Sequence, residues 1–467
     1  MPPFQPVTSG ILEELSRILG TGNVLTDAST LDIYGRDETE DLYFAPEVVV
    51  RPATLDGVSA VLRLATRETI PVTPRGGGTG LSGGALPVHG GILLSMERFN
   101  HILEIDERNL QAVVEPGVVT ETFQSAVEEK GLFYPPDPAS RGSSHLGGNL
   151  AECAGGPHAV KYGVTRDYVI GLEAVLPSGE VLRTGARVLK NASGYHLTHL
   201  LIGSEGTLAV ITKIFLRLIP LPRHRKVLLV AFSSLEKATA AVATVFQRGV
   251  TPATCEFLER AAVEVAERRL GKKFPNGEAA AQLIIEVDGN HEPALAEEIQ
   301  VIAQAVEQQG ATDLLLAEEP HKIKEVWDLR RGIGEAVKAI SAYKEEDTVV
   351  PRAKLPDLVT GVKEICERHG IRSICYGHAG DGNVHVNLLK GDLDDNVWAR
   401  SADEAVRQIF RLTVSLGGAI SGEHGIGYTQ KGFLPIAMDA TTLRLMKEIK
   451  AVFDPAGILN PGKLFPE

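Results

Sequence analysis

Cysteine is scarce and scattered: only Cys153, Cys255, Cys366 and Cys375 occur in 467 residues. None forms a C-x-x-C pair, so zinc ribbons, thioredoxin-like redox motifs and cysteine-held iron–sulfur clusters all lack ligands. Lone thiols in a long chain fit a reducing compartment, where a large core dispenses with disulfides. Positive charge is also in deficit, with 47 Lys and Arg against 60 Asp and Glu, a net of −13. That balance gives no footprint for nucleic acid and no attraction to anionic lipid. Long apolar runs are missing too. Stretches such as residues 227–232 fall far short of the roughly 18 residues a membrane helix needs. The opening MPPFQPVTSG has neither the basic nor the apolar region of a secretory signal. The expectation is a cytoplasmic protein with no membrane insertion.

What the sequence has in excess is glycine, 48 residues, against about 7% in ordinary proteins. There is no G-X-Y period, which excludes collagen, and a hydrophobic content of 43% is too high for a disordered linker. Glycine at this density belongs where the backbone needs positive φ or where something approaches it closely. Four segments, 76–91, 142–163, 376–387 and 417–432, hold 23 of the 48.

Two or three domains are expected from the length, at about 150 residues each. Before residue 220 the texture is mixed. A helical face at Leu12, Leu15, Ile18 and Leu19 is followed by a strand at 48–50 and a helix that Asp56 can cap, with Val58, Val61, Leu62 and Ala65 inward. Strands are expected at 92–95, 112–115, 170–176 and 208–218, with a helix over 121–130. Pro220-Leu221-Pro222 is a breaker, and the basic run 223–226 reads as a solvated turn. Apolar strands and long Ala/Glu-rich helices follow, and the glycine-rich texture returns at Gly417. The expected boundaries are 1–219, 220–416 and 417–467.

PRGGGTGLSGGALP (74–87) contains a formal G-x-G-x-x-G at Gly78, Gly80 and Gly83. A dinucleotide fingerprint needs a helix to open inside it, and Pro87 with Gly90-Gly91 prevents one. What remains is a loop whose unhindered N–H groups can cradle a phosphate, or else a long flexible turn. Seven of the eight residues after Arg75 are Gly, Ser or Thr, which favours the cradle. A second small-residue cluster, 142–163, implies an elongated ligand lying across two loops.

These motifs, with PPDP (135–138), GGNLAECAGGPHAVKYGVTRDYVIGLEAVLPSGE, IGSEGTLAVIT and DPAGILNPGK, resemble the vanillyl-alcohol oxidase / p-cresol methylhydroxylase superfamily over nearly the whole chain. Within it the likeness is to FAD-linked D-2-hydroxyacid dehydrogenases of the glycolate oxidase D-subunit and D-lactate dehydrogenase kind. The resemblance implies an α+β fold: a two-subdomain FAD-binding (PCMH-type) domain, an α+β cap with an antiparallel sheet, and a C-terminal segment returning to the FAD domain. It implies that Arg75, Gly76, Gly77, Gly78, Thr79, Gly80 and Ser82 hold the FAD pyrophosphate. Gly147, Gly148 and Asn149 would line the isoalloxazine, and Glu205, Gly206 and Ile211 the adenosine half or ring edge. With Thr79 and Gly80 where some members carry a flavin-linked histidine, FAD is expected to be non-covalent.

YGHAGDGNVHVN (376–387) places an Asp381-Gly382 turn between two strand-like runs. Alternation puts His385 and Asn387 on one face, and His378 can fold back beside His385. A strand histidine is ordinarily a satisfied core residue; two across a hairpin are equally half a metal site. Glu423 and His424, between glycines, are either a polar turn or a contribution to it. Three protein ligands with open positions suit a catalytic divalent ion. The resemblance assigns a zinc or manganese ion to His378, His385 and Glu423, and the proton-accepting base to His424. It assigns the substrate carboxylate to Arg330 in WDLRRGIGEAVKAI, a helix in which an ordinary surface arginine is the alternative. Asn387 and Lys344 complete the expected substrate contacts.

The function implied is oxidation of a small D-2-hydroxyacid, glycolate or D-lactate first, to the 2-keto acid, with hydride passing to flavin N5. A D-2-hydroxyglutarate enzyme is the alternative, although Gly334 stands where those members carry a hydroxyl residue. A catalytically idle flavin subunit and the ether-lipid synthase branch are two further alternatives. Without a cysteine cluster, electrons must leave to an external acceptor or a partner redox subunit, in a homodimer or hetero-oligomer.

Overall fold

Three β-branched residues with no exposure, Val48–Val50, form a strand that pairs in parallel with Ile92–Ser95. Ile92–Ser95 is flanked in parallel by Val72–Arg75, and Val24–Leu25 closes the four-stranded sheet at its other edge. The helix Leu55–Glu68 buries Val58, Val61, Leu62 and Ala65 completely, each valine or leucine contributing roughly 1.5–3 kcal/mol. Its cap is Thr54, whose hydroxyl accepts from Gly57 N. Asp56, expected there, lies in the first turn instead, where its charge still complements the helix dipole. A second, five-stranded antiparallel sheet runs in the order Ile102–Asp106, Gln111–Val114, Val210–Arg217, Val169–Val175, Val181–Gly185.

This computed structural model describes residues 4–466. The two sheets belong to a first unit made of the chain up to Ala154, Val164–Leu221 and the stretch from Glu423 onward. The C-terminal stretch adds to the first sheet: Asn460 N donates to Val72 O (2.7 Å) and Val72 N to Ile458 O (2.8 Å). The second unit takes Gly155–Gly163 and Pro222–Gly422. It is built on a seven-stranded antiparallel sheet. The order is Ala311–Ala317, His224–Phe232, Ala281–Gly289, Thr254–Glu259, Arg372–Gly377, Asn383–Leu389, Tyr343–Val349. The helices Arg260–Leu270 and Pro320–Lys338 cover one face through Ala262, Val263, Ala266, Trp327 and Ile333.

In sequence the units meet at 154/155, 163/164, 221/222 and 422/423. Gly155–Gly163 falls in the second unit because Lys161 and Tyr162 both bond Asp288 of Ala281–Gly289. The basic run is not a solvated turn. His224–Phe232 begins inside it, and Arg225 grips fully buried Glu286 through Nε (2.8 Å) and Nη2 (2.9 Å), while Lys226 pairs with Glu318. Its acidic partners are distant in sequence, which is why local composition misreads it. Among the described residues no helix is long and apolar enough to cross a membrane.

Candidate active site

In the first unit, Val72–Arg75 runs into the glycine loop. A Cβ at Gly77 would lie 2.5 Å from Ser143 O, and one at Gly147 2.5 Å from Pro116 Cβ. These contacts hold the two glycine clusters against their neighbours, and a Cβ at Gly76 would sit 3.4 Å from His145 Cβ. Gly80 and Gly148 differ: nothing lies within 4 Å of the Cβ position at either. Beside this open space His145 Nδ1 is buried without a hydrogen-bond partner. Tight backbone packing beneath, open space above and an unsatisfied buried nitrogen form a cradle that fits an extended dinucleotide. Arg75 arches over Gly78, stacks 5.5 Å from the Tyr34 ring centre and donates to Tyr34 O (3.4 Å). Thr79 lies in the loop between Gly78 and Gly80.

Several residues expected on the cofactor also make contacts within the chain. Ser82 donates its hydroxyl to His424 O (3.1 Å), and its carbonyl accepts from Tyr428 N (2.8 Å). Glu205, in left-handed backbone at φ 51°, accepts from Ile426 N (2.8 Å) and Gly427 N (2.7 Å). Both oxygens accept from the loop after His424, so Glu205 helps to shape that loop. Burial pushes its carboxyl up to about 7 even though those N–H groups and Lys463 oppose it. Burial likewise lowers Lys463 to about 8 and raises Glu152 well above the carboxylate range. Asn149 donates to Thr120 Oγ1 (2.7 Å). Gly206 packs on Pro74, and Ile211 sits half-buried in Val210–Arg217.

In the second unit, Arg372–Gly377 and Asn383–Leu389 form the hairpin expected around Asp381-Gly382. Gly382 has φ 89°, and a Cβ there would come 1.9 Å from Val350 O, so the turn admits no side chain. Register aligns His385 with Tyr376 on one side and Asp347 on the other, and Asn387 with Ile374 and Glu345. Directly opposed residues share a face. His378 follows Gly377, and its ring stands 5.2 Å from that of His385 at 86°. Arg330 is 7% exposed, not a surface arginine, and lies 5.2 Å over the Tyr376 ring. Asn387 is buried, and among the described residues its Nδ2 meets no acceptor in good hydrogen-bond geometry. Lys344 does not join them. It opposes Leu388, and alternation sends its side chain to the other face of the sheet.

Two carboxylates that the sequence reading missed organise this cluster. Glu256, fully buried in Thr254–Glu259, accepts from His378 Nδ1 (2.8 Å) and from Arg330 Nε (2.8 Å) and Nη2 (2.6 Å). Asp347, also fully buried, accepts from Asn383 Nδ2 (2.6 Å), Ser421 Oγ (3.0 Å) and Gly422 N (2.8 Å). The available signal was a charged residue between the apolar Cys255 and Phe257 of a central strand, which demands a partner.

A glycine-lined dinucleotide cradle in the first unit, and imidazoles with a buried guanidinium in the second, are the features of a flavoprotein oxidoreductase. Residues 46–185 match an FAD binding domain, and residues 221–464 match the C-terminal domain of FAD linked oxidases. The glycolate oxidase subunit GlcD of Bacillus subtilis is 37% identical over 98% of this chain and 97% of its own. D-lactate dehydrogenase of Archaeoglobus fulgidus is 41% identical over 93% and 95%. A structure of p-cresol methylhydroxylase with substrate bound shares the fold, with a TM-score of 0.81 at 17% identity over 98% of this chain and 97% of that one. The chain belongs to the FAD-linked oxidase family, and it is an FAD-dependent oxidoreductase.

Proposed function

We propose that the chain oxidises a small D-2-hydroxyacid, glycolate or D-lactate, to the 2-keto acid. The observation that carries this is the gathering on one sheet face of a buried guanidinium, two imidazoles and a buried amide. Arg330 binds the substrate carboxylate by a charge-assisted pair, and Asn387 Nδ2 donates to a substrate oxygen. His378 and His385 hold a divalent ion, zinc or manganese, with Glu423 as third ligand. Support for the imidazoles is the donor set: a ligating histidine is ordinarily held through its other nitrogen by a carboxylate, as Glu256 holds His378. Support for Glu423 is covalent. It directly follows Gly422, whose N–H is fixed on Asp347 beside His385.

A divalent ion held there would supply Lewis acidity toward a hydroxyl oxygen, easing loss of its proton to a base. His424 takes that proton; Ser82 on its carbonyl and Glu205 on the next N–H groups fix its backbone. Bound non-covalently, FAD supplies the two-electron acceptor for the C2 hydride. Gly76, Gly77, Gly78, Thr79 and Gly80 would face its pyrophosphate, and Gly147 and Gly148 its ring. An external acceptor or a partner redox subunit would receive the electrons. The relative from B. subtilis carries "subunit" in its name, and the four cysteines here are all free, three of them buried.

A dicarboxylate substrate is disfavoured. Gly334 offers no side chain beside Tyr376, and Lys344 faces the other side of the sheet. The deciding experiment is anaerobic mixing of the yellow protein with glycolate, D-lactate, L-lactate and D-2-hydroxyglutarate. Bleaching at 450 nm by glycolate or D-lactate is expected. No bleaching by any of them would favour an idle flavin subunit.

A further inference from the structure

One carboxylate touches both groups that the proposed reaction must hold still. Glu256 has no exposure; Oε1 meets His378 Nδ1, and Oε2 meets Arg330 Nε and Nη2. Two guanidinium nitrogens meet one of its oxygens, the arrangement of a carboxylate paired with arginine. An ionised carboxylate only accepts hydrogen bonds. His378 Nδ1 is then the donor, and in the neutral ring the lone pair lies on Nε2, across the ring. The guanidinium is gripped along its Nε–Nη2 edge, so its Nη1 side faces away from Glu256. A carboxylate one residue along the strand would point to the opposite face.

We propose that Glu256 is a positioning residue that fixes His378 as the Nδ1–H tautomer for metal ligation and orients Arg330 end-on to the substrate carboxylate. The inference rests on the metal-assisted hydroxyacid reading above. It makes metal affinity and substrate affinity depend on one side chain that touches neither. Glu256→Gln keeps the shape but offers one acceptor and one donor where two acceptors are needed.

The test uses holoenzyme stripped of metal with a chelator. In wild type, 15N NMR of labelled histidine should show His378 protonated on Nδ1. Titration with Mn2+ alone should give a Kd 10–100-fold weaker in Glu256→Gln than in wild type, the range for lost outer-shell partners. At saturating Mn2+ the variant's kcat should recover while its KM for the hydroxyacid stays raised at least about tenfold, since metal restores His378 but not Arg330. Glu256→Asp, charged but one methylene shorter, should fall between. A wild-type His378 protonated on Nε2, or a Glu256→Gln variant with unchanged Mn2+ affinity and KM, would overturn the proposal. If Glu256→Gln does not fold, the wild-type tautomer decides alone. Failure of the underlying reading looks different: wild type itself would neither bind Mn2+ nor bleach with any hydroxyacid.

Discussion

Arg330→Ala removes a guanidinium that is buried and already paired, so it should have two separable effects. The first is on binding. If Arg330 meets the substrate carboxylate, the lost contact is one or two charge-assisted hydrogen bonds, each about 1.5–3 kcal/mol. At 1.4 kcal/mol per tenfold, apparent affinity should fall by ~10-fold for one weak contact and up to ~20,000-fold for two strong ones. The second effect is on the fold. Glu256 keeps His378 but loses its partners at Nε and Nη2, and a buried carboxylate deprived of its cation costs about 3–5 kcal/mol. The variant Arg330→Ala/Glu256→Gln separates the two, because it removes the stranded charge without restoring a carboxylate ligand. Its melting temperature should recover toward wild type while its KM does not. The assay is anaerobic flavin reduction across lactate concentrations, run beside lactamide, which lacks the carboxylate. Wild type should prefer lactate strongly, and both variants should lose that preference. Lys344→Ala, on the opposite sheet face, serves as control and should shift KM less than about twofold. An Arg330→Ala enzyme with unchanged KM and an intact preference for lactate would refute the assignment.

Other expectations can be checked directly. His378→Ala and Glu423→Gln should lose metal by elemental analysis, and turnover with it, yet keep stoichiometric flavin, because cradle and imidazoles come from different segments. Flavin lost along with metal would contradict this. Gly148→Val projects into open space and should lower flavin content while leaving the apoprotein's melting point nearly unchanged, whereas Gly77→Ala meets Ser143 O at 2.5 Å and should destabilise the apoprotein itself. Equal melting points for the two apoproteins would show the cradle is misread. Glu205, raised to about 7 in the fold, binds more proton folded than unfolded between its unfolded value and about pH 7. Stability should therefore fall across that window as pH rises, by up to ~1.4 kcal/mol per pH unit for one group, and level off above it. Glu205→Gln should remove this share of the slope in melting curves from pH 5 to 7; an unaltered slope would assign it to Glu152. Brief denaturation and filtration should release the flavin as a small molecule; flavin retained with protein would disprove non-covalent attachment.

Much of this protein is legible from residue order alone, for identifiable reasons. Glycine clusters exclude side chains wherever they occur, so the loops at 76–91 and 142–163 announce close packing or a ligand before any fold is known. The hairpin around Asp381-Gly382 follows from local rules of turn and alternation, which suffice to put His385 beside Asn387 and to bring His378 within reach. Strand and helix periods likewise fix which face of Leu55–Glu68 turns inward.

Tertiary structure decided the questions of charge. Local composition could not tell that Arg225 and Lys226 lie in a strand with acidic partners 61 and 92 residues away. It could not tell that Lys344 is one register step from the face of His385 and Asn387, since a period of two turns a single-residue shift into opposite sides of a sheet. Nor could it show that Ser82 and Glu205 serve the loop after His424, or that Glu256 joins Arg330 to His378 across 74 and 122 residues. Backbone conformation is set by near neighbours and is written in the sequence at short range. The pairing of buried charges depends on which distant strands the fold brings side by side, and only the folded chain settles it.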